Sequence, residues 1–157
     1  MSTRTAVAVA QWGPGADRDV NLAELRELAQ KAVDLGAGLV VFPEYSAYFT
    51  PRPDEGWVAN AEPLDGPFVS ALSAIAAELE VIIVAGLLEQ SSQPEKCRNT
   101  IVAVGTDGAL LATSPSPLRT TIAWLSGAVC ASESVARGGE ACEDQVRPKR
   151  SRMVLAL

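Results

Sequence analysis

The chain has 157 residues, of which 48% are hydrophobic and 20% are charged, a balance typical of a soluble globular protein of about one domain. Its net charge of −6 and pI near 4.7 argue against nucleic-acid binding, and no apolar run is long enough to span a membrane. The absence of histidine excludes His-based triads and His metal sites, and the three cysteines lack zinc-site spacing. We therefore expect no metal and no cofactor, and the lack of a secretory leader pattern predicts a cytoplasmic protein.

Strand and helix patterns alternate through the amino-terminal part of the chain. Residues 5–11 predict a buried strand, and Asp17 or Asp19 is expected to cap the helix that follows. The apolar run 39–42 predicts a second strand, buried on both faces. The segment 45–66 is rich in proline and predicts a long loop, which in a compact domain is usually functional.

The alternation then continues with a second helix and three more strands. Apolar spacing predicts a helix over 68–80 and a strand over 81–85 that Gly86 closes. Residues 98–104 and 109–113 predict a hairpin across a Thr-Asp-Gly turn.

The character of the sequence changes after Thr113. A Ser-Pro-Ser-Pro segment follows, and no sustained period comes after it. Residues 1–112 carry 7 basic and 15 acidic side chains, a net charge of −8, whereas residues 113–157 carry 6 and 4, a net charge of +2. The short apolar pieces 122–125 and 153–157 have no evident partners.

We accordingly divide the chain into residues 1–113 and a divergent tail, 114–157, that is disordered or non-native. The alternative is an ordinary α/β continuation with weak local signals.

The most informative position is Glu44, which directly follows Pro43 at the end of the second strand. Pro43 cannot donate to a sheet ladder, so it ends the strand. Open α/β sheets place their chemistry beyond the carboxyl ends of their strands, and a carboxylate at such an edge is a candidate general base. The alternative is a solvated loop glutamate.

The order of motifs resembles the nitrilase, or carbon–nitrogen hydrolase, superfamily, over about residues 5–113. The resemblance rests on a collinear set of segments: Ala8 to Gln11, Asp19 with Asn21 and Leu22, Gly36 to Glu44, Leu64 to Gly66, Val81 to Gly86, Asn99 with Thr100, and Asp107 to Ala109.

This resemblance implies an α/β fold, namely a partial four-layer α-β-β-α sandwich. It also implies a hydrolase of amidase or nitrilase type, in which a glutamate base, a lysine and a cysteine nucleophile act on a small amide or nitrile. Glu44 matches the glutamate. The resemblance implies no nucleic-acid or membrane partner, and a homo-oligomer if the full fold forms.

The lysine and the cysteine of the family have no good match. Arg119 is the cation nearest to the expected lysine position, and Lys149 lies in a basic run. Cys130 comes too early and lacks a preceding strand, and Cys142 has polar neighbours. We expect a chain that is truncated or frame-shifted after residue 113 and lacks both groups.

Two interpretations besides the enzyme stay open at the level of sequence. The first is a catalytically inactive fragment that serves as an interaction module. The second, a flavodoxin-like binding domain, is weaker, because a G-x-G-x-x-G loop is missing. Tyr45, Tyr48 and Phe49 either line a substrate pocket or pack in the loop.

Overall fold

The expected alternation of strands and helices is present in the computed structural model, which describes residues 5–115, 124–125, 128–129 and 152–156. The elements in chain order are β1 (Ala6–Gln11), α1 (Arg18–Asp34), β2 (Ala37–Val41), α2 (Glu55–Ala59), α3 (Pro67–Leu79), β3 (Ile82–Gln90), β4 (Cys97–Val104), β5 (Leu110–Pro115), β6 (Trp124–Leu125), β7 (Ala128–Val129) and β8 (Arg152–Ala156).

Six of the strands form one mixed sheet in the order β5-β4-β3-β2-β1-β8. The neighbours β1, β2 and β3 are parallel, which fits the helical crossovers that connect them. The predicted hairpin is present as β4 and β5, and β4 also pairs antiparallel with β3. The strands β6 and β7 pair only with each other.

The strand β8 gives residues 153–156 of the apolar piece 153–157 a partner that the sequence did not indicate. It runs antiparallel to β1, with Val7 opposite Ala156 and Gln11 opposite Arg152. This pairing joins positions near the two ends of the chain. The division of the chain after residue 113 stays a prediction.

Local chemistry explains where α1 begins and ends. The Asp17 carboxylate accepts hydrogen bonds from the backbone N–H groups of Asp19 and Val20 at 3.0 and 3.1 Å, so Asp17 is the cap. The helix ends before Gly36, whose φ of +88° lies in the left-handed region that glycine adopts without strain.

The helices α1 and α3 cover one face of the sheet. Buried residues from both helices and from four strands form one apolar core beneath them, with Leu25, Leu72, Val40, Ile83 and Val102 among its members. The guanidinium of Arg26 on α1 binds both carboxylate oxygens of Glu78 on α3. These are one helix layer and one sheet layer, two of the four layers that the resemblance implies.

The opposite face of the sheet is apolar but only partly covered. Sheet register places on this face a set of half-buried or exposed side chains from four neighbouring strands: Val7, Val9, Leu39, Val41, Ile82, Val84, Ile101 and Ala103. We call this set the open face.

Two elements differ from the sequence-based expectations. The predicted loop 45–66 contains the short helix α2, capped by Asp54. The strand β3 does not end at Gly86 but continues to Gln90. No helix among the described residues is long and apolar enough to cross a lipid bilayer.

Candidate active site

Glu44 lies beyond the carboxyl end of β2, as the sequence predicts, and its backbone is bound to β3. The Gly86 N–H donates to the Pro43 carbonyl at 3.3 Å, and the Ser46 N–H donates to the Gly86 carbonyl at 2.9 Å. The Ser46 hydroxyl donates to the Pro43 carbonyl at 2.6 Å, which closes the turn. The backbone around Glu44 is therefore held on both sides by hydrogen bonds.

The close approach of this turn to β3 explains why Gly86 does not end the strand. A Cβ atom at Gly86 would overlap the carbonyl group of Glu44 and lie 2.7 Å from its Cα. Only glycine allows the two backbones to touch at this point. Gly86 therefore provides the space in which the backbone of the Glu44 turn packs against β3.

The Glu44 side chain is exposed, but its carboxylate has a defined partner. The Asn99 Nδ2 donates to Glu44 Oε1, and the same nitrogen lies 3.3 Å from the Tyr45 hydroxyl. Asn99 itself is only 6% exposed, on β4. Its Oδ1 has no hydrogen-bond partner among the described residues. The site is thus a carboxylate that lies beyond the carboxyl end of β2 and is held there by a buried side-chain amide.

The aromatic side chains that follow Glu44 pack mainly on one another. The ring of Tyr45 lies 5.9 Å from that of Phe49 and 5.0 Å from that of Trp57. Together with Tyr48, Leu88, Cys97 and neighbouring apolar residues they form a second, smaller core on the open-face side of the sheet. The packing interpretation therefore describes Tyr45 and Phe49.

Tyr48 also lines a groove, but this groove is not at Glu44. The groove has a volume of about 490 Å³ and lies between the start of α1 and the segment 59–63. Glu44 and Asn99 are not among its lining residues. A pocket role for the three predicted aromatic residues at the carboxylate stays a prediction.

The remaining groups of the predicted catalytic set are not at Glu44 in the described part of the chain. Arg119, Cys130, Cys142 and Lys149 lie outside the described residues. Cys97 is 3% exposed, and burial raises the pKa of its thiol. A buried thiol of this kind is a poor nucleophile. Residues 5–115 contain no cluster of three or more Cys, Asp or Glu side chains arranged to bind a metal ion.

The sequence matches a known family over the segment that carries these elements. Residues 6–116, more than half of the chain, match the family model of the carbon–nitrogen hydrolases. The chain belongs to the carbon–nitrogen hydrolase family. This confirms the resemblance inferred from the ordered motifs.

Relatives of this carbon–nitrogen hydrolase chain are considerably longer. Two curated proteins described as hydrolases, from two strains of Mycobacterium tuberculosis, are each 33% identical to it over 99 residues. Those residues make up 63% of this chain and 34% of each relative. The chain therefore spans about a third of the length of the curated relatives that it matches.

Solved structures show the same fold. An amidase from Nesterenkonia sp. superposes with a TM-score of 0.60 at 23% identity, over 71% of this chain and 42% of the amidase chain. A double mutant of the Nesterenkonia amidase in complex with acrylamide gives a TM-score of 0.61 at 22% identity, over 73% and 45% of the two chains. The fold is therefore the α/β fold of the carbon–nitrogen hydrolases.

The sequence interpretation singled out Glu44 as a candidate but missed the contact between its carboxylate and Asn99. Asn99 appeared only as one member of the ordered motif set. A signal for this contact was present, because strand alternation places Asn99 on the same face of β4 as Ile101 and Ala103. A polar residue among apolar neighbours on one face of a strand indicates a specific partner.

Proposed function

We propose that this chain is the amino-terminal part of a hydrolase that cleaves carbon–nitrogen bonds in small amides or nitriles, with Glu44 as its general base. The observation that carries the proposal is the position of Glu44. Its carboxylate lies beyond the carboxyl end of a parallel strand, its backbone is fixed on Gly86, and one of its oxygens accepts from a buried amide. Family membership supports the class of reaction.

The chemistry that we propose for Glu44 is the transfer of one proton in each half of the reaction. Its carboxylate takes the proton of a cysteine thiol, and the thiolate attacks the amide carbon to form a C–S bond. The C–N bond breaks, and the nitrogen leaves as ammonia with the proton returned by Glu44. The carboxylate then deprotonates a water molecule, which attacks the thioester and releases the acid and the thiol.

The developing oxyanion of that reaction needs a cation or fixed donors. The two lysines of residues 5–115 do not meet this need: Lys31 pairs with Glu27 at 2.6 Å on α1, and Lys96 lies in the turn between β3 and β4. We therefore propose that the cysteine and the lysine belong to the part of the domain that this chain lacks or carries in altered form after residue 113.

Small amides are the substrates that we favour, since the Nesterenkonia amidase was captured with acrylamide bound and, in another variant, with the acetamide group of fluoroacetamide on its active-site cysteine. The test is ammonia release from a panel of amides and nitriles by the intact chain. If the intact chain releases ammonia, Glu44→Gln should abolish that release, whereas Glu95→Gln, at an exposed glutamate in a turn, should leave it unchanged. Equal release by the Glu44→Gln variant would exclude the general-base role.

A catalytically inactive fragment is the second candidate function. It is favoured by the surroundings of Glu44, where the structure shows an amide and a phenol but neither a lysine nor an accessible thiol among the described residues. No ammonia release by the intact chain, at any substrate concentration, would support this candidate and contradict the hydrolase activity of this chain.

The tail is tested separately, at the level of the encoding DNA. If a frame shift replaced the family sequence, another frame downstream of codon 113 should encode a Tyr-x-Lys segment and, further on, a strand that ends at a cysteine. The frame-shift proposal fails if neither segment appears in any frame.

A further inference from the structure

We propose that Asn99 is the positioning residue of Glu44: its side-chain amide holds one carboxylate oxygen and leaves the other free to exchange a proton with a reacting group. This inference rests on the proposed function for its catalytic meaning, although the contact itself is a property of the fold. The Asn99 Nδ2 donates to Oε1, and Oε2 has no hydrogen-bond partner among the described residues. Two contacts within the protein, one at the backbone and one at the carboxylate, thus determine the position of the Glu44 side chain.

The burial of Asn99 indicates that its amide serves Glu44 rather than the packing of the sheet. Its cross-strand neighbour is Leu88, and its neighbour on the same face of β4 is Ile101. An asparagine buried among such residues loses hydration that a leucine would not lose. This loss is offset at the nitrogen, which donates to Glu44 and approaches Tyr45, but not at Oδ1, which is buried and unpaired in the described part of the chain.

The unpaired Oδ1 follows from the charge of the partner. An ionised carboxylate only accepts hydrogen bonds, so the amide must turn its nitrogen toward Glu44 and its oxygen away from it. The apolar face of β4 then offers Oδ1 no donor. A buried acceptor of this kind is uncommon in folded proteins.

The geometry makes the arrangement rigid. Glu44 rests with its backbone on Gly86 of β3, and its side chain reaches across to Asn99 on the next strand, β4. The two anchors therefore lie on hydrogen-bonded neighbours of one sheet. Tyr45, which lies beside the Asn99 nitrogen, is held by its ring contacts with Phe49 and Trp57. A carboxylate fixed in this way loses little further freedom when it reacts.

The contact is tested by NMR on the ¹⁵N-labelled chain, without any need for turnover. A hydrogen bond to a charged acceptor is stronger than one to a neutral acceptor, so the Asn99 side-chain amide protons should resonate downfield. Glu44→Gln removes the charge and should move them upfield. The signal is assigned by its loss in Asn99→Leu.

Asn21 supplies a matched control in the same spectra. It is also a buried asparagine, but its Nδ2 donates to the neutral carbonyls of Gly15 and Ala47 at 2.8 and 3.0 Å. Its resonances should be the same in the wild type and in Glu44→Gln, which also shows that the variant is folded. Asn99 resonances that do not move in a folded Glu44→Gln variant would overturn the proposal.

Turnover separates this inference from the proposed function. If the chain releases ammonia, Asn99→Leu should lower kcat by about 100-fold with KM nearly unchanged, because a misplaced base slows the chemical step and not substrate binding. If the intact chain releases ammonia but the Asn99 resonances do not move in Glu44→Gln, the positioning role is excluded and the hydrolase function is retained. If the Asn99 resonances move in Glu44→Gln but the intact chain releases no ammonia, the hydrolase function of this chain is excluded and Asn99 is retained as the partner of Glu44.

Discussion

At the scale of single residues, the glycine in the middle of β3 decides where Glu44 lies. We predict that Gly86→Ala destabilises the protein by at least about 2 kcal/mol, because the new Cβ overlaps backbone atoms of Glu44 that the surrounding hydrogen bonds hold in place. The free energy of unfolding, measured by urea titration, checks this.

Gly38→Ala is the matched control, since Gly38 is a strand glycine in β2 whose added Cβ would meet only the methyl group of Thr5, at 2.7 Å. That methyl group ends an exposed side chain that is able to move aside, so we expect a change within about 1 kcal/mol. Similar losses in both variants would show that Gly86 is not a special contact.

The thiol of Cys97 gives a second prediction at this scale. Burial raises its pKa, so at neutral pH even less of it is thiolate than in a free cysteine. We expect iodoacetamide to leave Cys97 unmodified in the native protein and to modify it fully in denaturant, as read by peptide mass spectrometry. Rapid alkylation of native Cys97 would contradict the burial of this residue in the second core.

The candidate site was only half predictable from the sequence, for a physical reason. Glu44 follows a proline at the end of an apolar run, which is a local pattern. Asn99 lies 55 positions further along the chain, and its contact with Glu44 depends on the antiparallel register between β3 and β4. Local periodicity contains no information about that register.

At the scale of elements, Glu62 joins three parts of the fold. Its N–H donates to the Leu88 carbonyl at 2.9 Å, and its carbonyl accepts from the Gln90 N–H at 3.0 Å, which ties it to the end of β3. Its carboxylate accepts from the Phe68 N–H at 2.7 Å, in the first turn of α3, and pairs with Arg18 of α1 at 3.0 Å. Since the N-cap residue of α3 is a glycine with no side-chain bond, Glu62 supplies the missing cap.

We predict that Glu62→Ala lowers the free energy of unfolding by about 1–2 kcal/mol through the lost cap. Arg18→Gln keeps the cap and removes the ion pairs of Arg18 with Glu62 and Asp19; since the Arg18 side chain is 40% exposed, it should cost less than about 1 kcal/mol. Chemical denaturation of both variants checks the order of these losses. A larger loss in Arg18→Gln would show that the ion pairs of Arg18 contribute more to stability than the cap does.

The elements that the sequence predicted well are those with long periodic patterns, namely α1, α3 and the strands around them. The helix α2 has five residues, too few to show a helical period. The predicted end of β3 at Gly86 was wrong, because a glycine within a strand pattern can also mark a close approach of another backbone segment. The pairing of β8 with β1 is a contact between distant segments, for which the sequence offers no local cue.

At the scale of the whole molecule, the open face is the dominant feature. Its side chains are apolar and without charge, a composition typical of a sheet buried on both faces. In the described part of the chain, the long helices α1 and α3 both lie on the other face, and relatives with the same fold are more than twice as long as the segment that superposes. Apolar surface of this extent promotes self-association in water.

We therefore predict that the purified chain self-associates and that Val9→Glu reduces this association. Val9 is 46% exposed on the open face, opposite Val41 of β2, so a carboxylate there adds charge where a second molecule would have to remove water. Val20→Glu adds the same charge on the outer side of α1, at a valine that is 59% exposed, and should leave association unchanged. Sedimentation velocity over a range of concentrations distinguishes the two variants. A wild-type chain that stays monomeric throughout and melts in one sharp cooperative transition would show that the open face is not available to a second molecule.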